Sequence, residues 1–362
     1  MKKLSVYILA FLGTAFLLGC ESETETDESM LPGEQERVTV FRNVNVLPMD
    51  EERVVEGQTV VIRGDRIVEM GPAADVETPN GAQEIDAQDQ YLMPGFAELH
   101  GHIPNPNEQP EYTDNVLFLF VANGVTTVRG MQGRPGQLEL RERANTGRIL
   151  SPTLYLAGPA FTGNSVEGPA DAENMVREQA RAGWDYLKVL EGMSTDEYNA
   201  MASTAQEVGI PYVGHVPNDV GLLRVLEAGQ ETIDHFDGYV QYLDGAEREV
   251  PEDELQDVVQ RTNDADVCVV PTMALWETLM GTARVETLTA ISGLQYMPRD
   301  LVSGWTEQQR ERLKDVDTSR ARQIIDNRMH LLTAMNEGSA CILFGTDAPQ
   351  QFSVPGFSIH RE

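Results

Sequence analysis

The stretch "GFAELHGHI", residues 95–103, sets two histidines, His100 and His102, one residue apart at the end of an apolar run. Side chains alternate across a strand, so residues two apart share a face, about 7 Å from each other along the backbone. One cation could take both imidazoles. By itself the pair fits two half-exposed residues beside a turn equally well. Other chemistry-bearing residues also fall in short apolar runs: Lys188 in "DYLKVLEG", His215 in "YVGHVP", His235 in "TIDHFDG" and Asp347 in "LFGTDA". Singly, each has a plain structural reading: a lysine that snorkels, histidines satisfied in a core, an aspartate that caps a helix. Four of the six histidines, a lysine and an aspartate, all at the ends of such runs, are much harder to explain that way.

The elements that would position these residues follow Pro94, where short apolar runs alternate with amphipathic stretches. The strand candidates are "FAELHGHI", "GVTTVRGM", "TLYLAGPAF", "YLKVLEG", "PYVGHVP", "ETIDHFDG", "VCVVPTMAL" and "CILFGTDA". Between them lie "AENMVREQARAG", "TDEYNAMASTAQEVG" and "NDVGLLRVLEAG", with apolar residues at helical spacing and Gly just past the end. This alternation predicts an α/β fold, a (β/α)8 TIM-like barrel, whose catalytic groups sit at the C-terminal ends of the strands. No Gly-rich phosphate fingerprint follows the first strand, which argues against an open dinucleotide-binding sheet. The longest connection, from Trp276 to about Leu301, holds no clear strand and is expected to form a flap over the barrel mouth. Upstream, residues 37–93 contain β-rich runs separated by Gly, Asp and Pro, read as antiparallel strands of a small, incomplete β-sandwich domain.

The first residues, "MKKLSVYILAFLGTAFLLGC", carry two lysines, an uncharged apolar stretch and then Gly19 and Cys20. That is the layout of a secretory signal, and it is short for a membrane span. Its "LLGC" ending resembles the lipobox of bacterial lipoproteins. The resemblance implies removal of residues 1–19, acylation of Cys20, and attachment in the cell envelope, with Glu21 favouring the outer membrane. Residues 20–36 are acidic, lack aromatics and have no apolar period, so they read as a tether. The balance of 27 basic against 58 acidic residues argues against nucleic-acid binding, because neutralising phosphates needs Lys and Arg. Cys268 and Cys341 lie in apolar runs, and no disulfide framework is expected from three cysteines.

Taken in order and spacing, "YLMPGFAELHGHI", "NGVTTVRGM", "GWDYLKVLEG", "GIPYVGHVP", "AGQETIDHF" and "LFGTDA" make residues 38–362 resemble the amidohydrolase superfamily. The branch is that of imidazolonepropionase-like proteins and metal-dependent Xaa-Pro dipeptidases (prolidases). The resemblance implies two divalent metal ions, zinc being the expected identity. His100 and His102 would hold the first, His215 and His235 the second, and Lys188 would bridge them as a carboxylated lysine. Asp347 would bind the first metal and shuttle the proton. The chemistry is consistent with those roles: imidazole and carboxylate suit zinc, and a carbamate is an anionic ligand able to span a two-metal site. The implied activity is hydrolysis of amide or peptide-like C–N bonds by metal-activated hydroxide, with a dipeptide or other small molecule as substrate. Relatives continue with a closing helix and a segment returning to the small β domain, so the chain is expected to be a truncated reading of a longer one.

Two rivals stand beside this expectation: a mononuclear imidazolonepropionase-type cyclic-amide hydrolase, which needs no bridging lysine, and an inactive surface binding lipoprotein. The remaining notable residues take plain readings. His330 and His360 are expected to be structural or uninvolved, Arg129 to make a local salt bridge, and Trp184 to lie in the core.

Overall fold

The computed structural model describes residues 37–362; the expected signal peptide, Cys20 and the acidic tether lie outside the described residues. Contacts divide the chain into a unit ending at Pro94 and a unit spanning Gly95–Glu362. No helix of the described residues is long and apolar enough to cross a membrane.

The first unit is one sheet of β1 (Val38–Val46), β2 (Val55–Arg63), β3 (Arg66–Pro72), β4 (Gln83–Asp86) and β5 (Tyr91–Leu92). Strand alternation gives each face its own small core. Val60 packs with Val44, Val46 and Ala87, while its neighbour Val61 packs with Val40 and Val76. The expectation of antiparallel strands holds for β1, β2 and β3, but β4 and β5 pair with β1 in parallel. The chain between β3 and β4 carries the strand to the far edge of β1, a return that local turn signals do not encode. The described residues form a single sheet here, not the two layers of a sandwich.

In the second unit, β6 (Phe96–Gly101), β7 (Val125–Gly130) and β8 (Thr153–Leu156) form one parallel sheet. A second consists of β9 (Leu187–Val189), β10 (Tyr212–Gly214), β11 (Thr232–Asp234) and β12 (Cys268–Val270). The helices are α1 (Pro110–Ala122), α2 (Gln137–Asn145), α3 (Pro169–Ala182), α4 (Thr195–Val208), α5 (Leu222–Ala228), α6 (Tyr239–Tyr242) and α7 (Glu252–Asp264). They continue with α8 (Met273–Leu279), α9 (Val285–Thr289), α10 (Arg299–Asp315) and α11 (Thr318–Glu337). Gly183, Gly209 and Gly229 end α3, α4 and α5 in left-handed backbone, the stop signal read in the sequence.

Single bridges join the two sheets. Ala157 pairs with Tyr186 and Phe161 with Val189 between β8 and β9, and Val269 pairs with Ile342 beyond β12. The run "CILFGTDA", expected as an eighth strand, forms no strand of its own. Leu99 N donates to Phe344 O (2.9 Å), and further on the left-handed backbone of Asp347 breaks the extended conformation. A second departure from expectation is a disulfide between Cys268 and Cys341, with Cα atoms 4.5 Å apart and a sequence separation of 73. Isolated cysteines at that separation give no spacing signal, and only the side-by-side placement of β12 and residues 341–344 reveals the pair. The 276–301 connection folds as helices and turns, and its Leu301 joins Leu288, Leu294, Met297, Trp305 and Phe352 in one apolar cluster.

Candidate metal centre

His100 lies in β6 and Lys188 in β9, His102, His215 and His235 directly follow β6, β10 and β11, and Asp347 lies in the run after Cys341 that forms no strand; backbone bonds to neighbouring segments hold them. His102 N donates to Ala348 O (2.7 Å), Asp347 N to His100 O (2.8 Å), His215 N to Val189 O (3.0 Å) and His235 N to Val270 O (2.7 Å). Two glycines clear the space. A Cβ on Gly345 would lie 2.9 Å from His100 Cβ, and one on Gly214 would lie 2.4 Å from Val189 O and 3.1 Å from Lys188 Cδ. His235, Phe236, Thr272 and Asp347 all have positive φ without being glycine, a conformation costing on the order of 1–3 kcal/mol each. Such strain persists only where surrounding contacts impose it.

The imidazoles form a row. Ring centroids are 5.5 Å apart for His102 and His100, 4.5 Å for His100 and His235, and 4.8 Å for His235 and His215. Asp347 faces three of them: its Oδ1 lies 2.7 Å from His102 Nε2 and 3.6 Å from His100 Nε2, and its Oδ2 lies 3.6 Å from His235 Nε2. Ligand atoms of His100, His235 and Asp347 all fall within 4.8 Å of one another, and all three residues are buried. Lys188 and His215 stand outside that trio. Lys188 Nζ lies 3.3 Å from Asp234 Oδ2, and His215 Nδ1 lies 2.6 Å from Asp237 Oδ2.

Sequence reading missed three carboxylates here. Asp234, fully buried, places Oδ2 2.9 Å from His100 Nδ1 and accepts a hydrogen bond from Thr232 Oγ1 (3.1 Å). Asp237 anchors His215. Glu98, also fully buried, accepts from His100 N (3.1 Å), Thr346 N (2.8 Å) and Thr346 Oγ1 (2.5 Å), tying β6 to the segment that carries Asp347. The "FAELH" and "TIDHFDG" runs did carry a signal, since an acidic residue in a buried apolar strand needs a partner. The partners themselves lie too far away in sequence to be named.

Burial pushes the Glu98 carboxyl up to about 8, although hydrogen bonds from Thr346 and His100 oppose it. Burial likewise drives His100 well below the usual imidazole range and His235 down to about 4. For Asp347 burial alone would raise the pKa, but His100, His102 and His235 outweigh it and hold the carboxyl well below the usual range. Asp234 behaves alike, with His100, Lys188 and Arg129 outweighing burial. Lys188 is lowered by burial, against the pull of Asp234 and Asp347. Neutral imidazoles facing an ionised carboxylate are the protonation states a metal cation requires. His100 Nδ1 faces Asp234 Oδ2 at 2.9 Å, which leaves its Nε2 turned toward Asp347, 3.6 Å from Oδ1. The donor set of imidazole nitrogens and a carboxylate oxygen, buried and within 4.8 Å of one another, fits a divalent cation.

The other candidates take their plain readings. Arg129 is buried, donating from Nε to Leu99 O (2.7 Å) and from Nη2 to Thr232 Oγ1 (3.0 Å), with Asp234 Oδ1 at 3.7 Å. Trp184 packs against an apolar core, and His330 and His360 are exposed. A cavity of about 540 Å³ opens beside His102 and is lined among others by Tyr112, Arg134, Leu301, Trp305 and Gln350. The 276–301 connection thus delivers Leu301 to the cavity wall. Arg134 is the cavity's arginine, and it forms no ion pair among the described residues.

No family model matches the chain. Among curated proteins, a dihydroorotase of Anaeromyxobacter sp. (strain K) is 37% identical over 87 residues, 23% of this chain and 19% of that protein. The match thus spans about a fifth of that relative's length. Among solved structures, a bottromycin amidohydrolase superposes with a TM-score of 0.69 at 22% identity, covering 91% of this chain and 73% of that one. A Xaa-Pro dipeptidase with bound methionine superposes with a TM-score of 0.64 at 18% identity, covering 89% and 82%. The chain shares the fold of these amidohydrolase and dipeptidase structures.

Proposed function

We propose that the chain is a metal-dependent amidohydrolase cleaving amide or peptide-like C–N bonds, and that its two parallel sheets are the two arcs of a (β/α)8 barrel. The observation that carries this reading is the convergence of His100, His102 and His235 on Asp347 beside the cavity. His100, His102, His235 and Asp347 would hold a divalent ion, and that ion would supply Lewis acidity toward water and the scissile carbonyl. Asp347, ionised and strained into place, accepts a proton from the attacking water and returns it to the leaving nitrogen. Burial around His100 and His235 excludes bulk water from the reacting centre.

In the fuller form of the reading, His215 holds a second ion and Lys188 bridges the two as a carbamate. It is supported by the contact of His215 with His235 and by the link from Lys188 through Asp234 to His100. The cavity suits a dipeptide or N-acyl amino acid, with Trp305 and Leu301 offering apolar contact and Arg134 a cation for the carboxylate. A single-ion centre is the second reading, favoured by the tight trio of His100, His235 and Asp347. The envelope location proposed from "LLGC" and Cys20 is supported by the Cys268–Cys341 disulfide, since such bonds persist in oxidising compartments.

The test is metal analysis of the purified protein, followed by screening against dipeptides and N-acyl amino acids. About two equivalents of metal with hydrolysis support the binuclear form, and one equivalent supports the single-ion form. Tight binding without hydrolysis of any member replaces both with a binding protein.

A further inference from the structure

The end of β11 and the turn that follows it carry three side chains of the centre: Asp234, the last residue of the strand, beside His100 and Lys188, His235 in the imidazole row, and Asp237 holding His215. Its backbone runs against the usual preference, with φ of 63° at His235 and 52° at Phe236, before Gly238 at 79°. Consecutive left-handed residues with side chains do not hold that shape unaided. Two distant groups grip it. Thr272, itself left-handed at φ 48°, places Oγ1 2.6 Å from His235 Nδ1. The other is Arg328, on α11 and 93 residues away, whose Nη1 donates to the backbone carbonyl of His235.

Arg328 is 3% exposed, and its guanidinium carbon lies 3.7 Å from the centroid of the Trp276 ring. Burying a guanidinium is expensive unless it is paired or stacked, and here the carbonyl and the aromatic face provide the compensation. The charge facing it is that of Asp237, in the same turn. A cation brought from α11 into the interior and spent on one carbonyl of a strained turn is not needed for packing alone; an apolar side chain would fill the space without the desolvation cost.

We infer that Arg328 is a positioning residue: by holding the carbonyl of His235 it fixes the left-handed turn, and so aims His235 and, through Asp237, His215 at the centre. The consequence for metal uptake rests on the hydrolase reading above, whereas the effect on the turn does not.

The test uses the whole chain, metal-free and then titrated with Co²⁺. Arg328→Met removes the donor, Arg328→Lys restores one, Trp276→Leu removes only the aromatic face, and Met335→Ala perturbs the same helix from a core position. In the metal-free protein, Arg328→Met should raise amide hydrogen exchange at least 10-fold at residues 235–238 relative to β9 and β10. Arg328→Lys should recover part of that protection, and Met335→Ala should not produce the pattern. On titration, Arg328→Met should lose at least 10-fold in Co²⁺ affinity and change the Co²⁺ absorption bands, while Met335→Ala keeps both. If Arg328→Met does not fold, Trp276→Leu should show a smaller loss of protection at the same residues. Parental exchange at residues 235–238 in Arg328→Met, or in Trp276→Leu where only that variant folds, overturns the inference. A parent that takes up no Co²⁺ overturns the hydrolase reading, while the metal-free exchange pattern still decides the role of Arg328.

Discussion

The two sides of the centre are built differently. On one side His100, His102 and His235 address a single carboxylate, Asp347, and Glu98 and Thr346 lash the first strand to the segment that carries it. On the other side Lys188 faces Asp234, which it shares with His100, and His215 faces Asp237. The first side is assembled by direct contact among the expected ligands. The second is held by carboxylates from the end of β11 and the strained turn after it. Preorganisation therefore has two sources here: candidate ligands that meet each other, and acids that hold the other side chains in place.

The largest expected effect falls on the first side. Asp347→Asn keeps the size of the side chain and removes its basic carboxylate, so turnover should fall by roughly 100- to 10,000-fold at unchanged metal content. Parental turnover in a fully metallated variant would show that the proton moves elsewhere. On the second side, Lys188→Met leaves Asp234 with a buried charge short of one partner, and breaking such a pair costs about 3–5 kcal/mol. Urea melts of the metal-free protein should show that loss, and Asp234→Asn added to it should recover part of it. A double variant no more stable than Lys188→Met would deny that the acid holds the lysine.

The disulfide tests whether the first side depends on its covalent brace, because Cys341 opens the run that ends in Asp347. Replacing both cysteines by serine, at a sequence separation of 73, should cost about 2–4 kcal/mol, seen as a drop in Tm. Unchanged melting would assign the placement of that run to noncovalent contacts such as Glu98 with Thr346. The smallest effect concerns the cavity between centre and solvent. Losing a hydrogen bond to a charged group costs about 1.5–3 kcal/mol, so Arg134→Gln should raise KM roughly 10- to 100-fold for a substrate with a free carboxylate. The same substrate with its carboxylate amidated should respond little, and an equal response would remove Arg134 from substrate recognition.

Much of this centre is legible in the sequence. Hydrophobic runs of strand length place His100, Lys188, His235 and the others near strand ends, because local periodicity reports which residues enter a sheet. Helix stops at Gly183, Gly209 and Gly229 are readable for the same reason: a left-handed terminus is a local demand. What stays hidden is every feature that depends on which distant segments become neighbours. Asp234 beside Lys188, Glu98 beside Thr346, Arg328 at the carbonyl of His235, the Cys268–Cys341 bond and the parallel return of β4 along β1 all join residues far apart in the chain. The same limit explains the eighth run. Its composition reads as a strand, but Gly345 must make room for His100 and Asp347 must turn left-handed to face the imidazoles, so the approach of β6 rather than local propensity sets its backbone. Sequence by itself determined which side chains could do the chemistry, since residue type and spacing are local properties. Tertiary structure decided which buried charges pair and which strained backbones persist, because desolvation and strain are compensated only by groups that folding brings into contact.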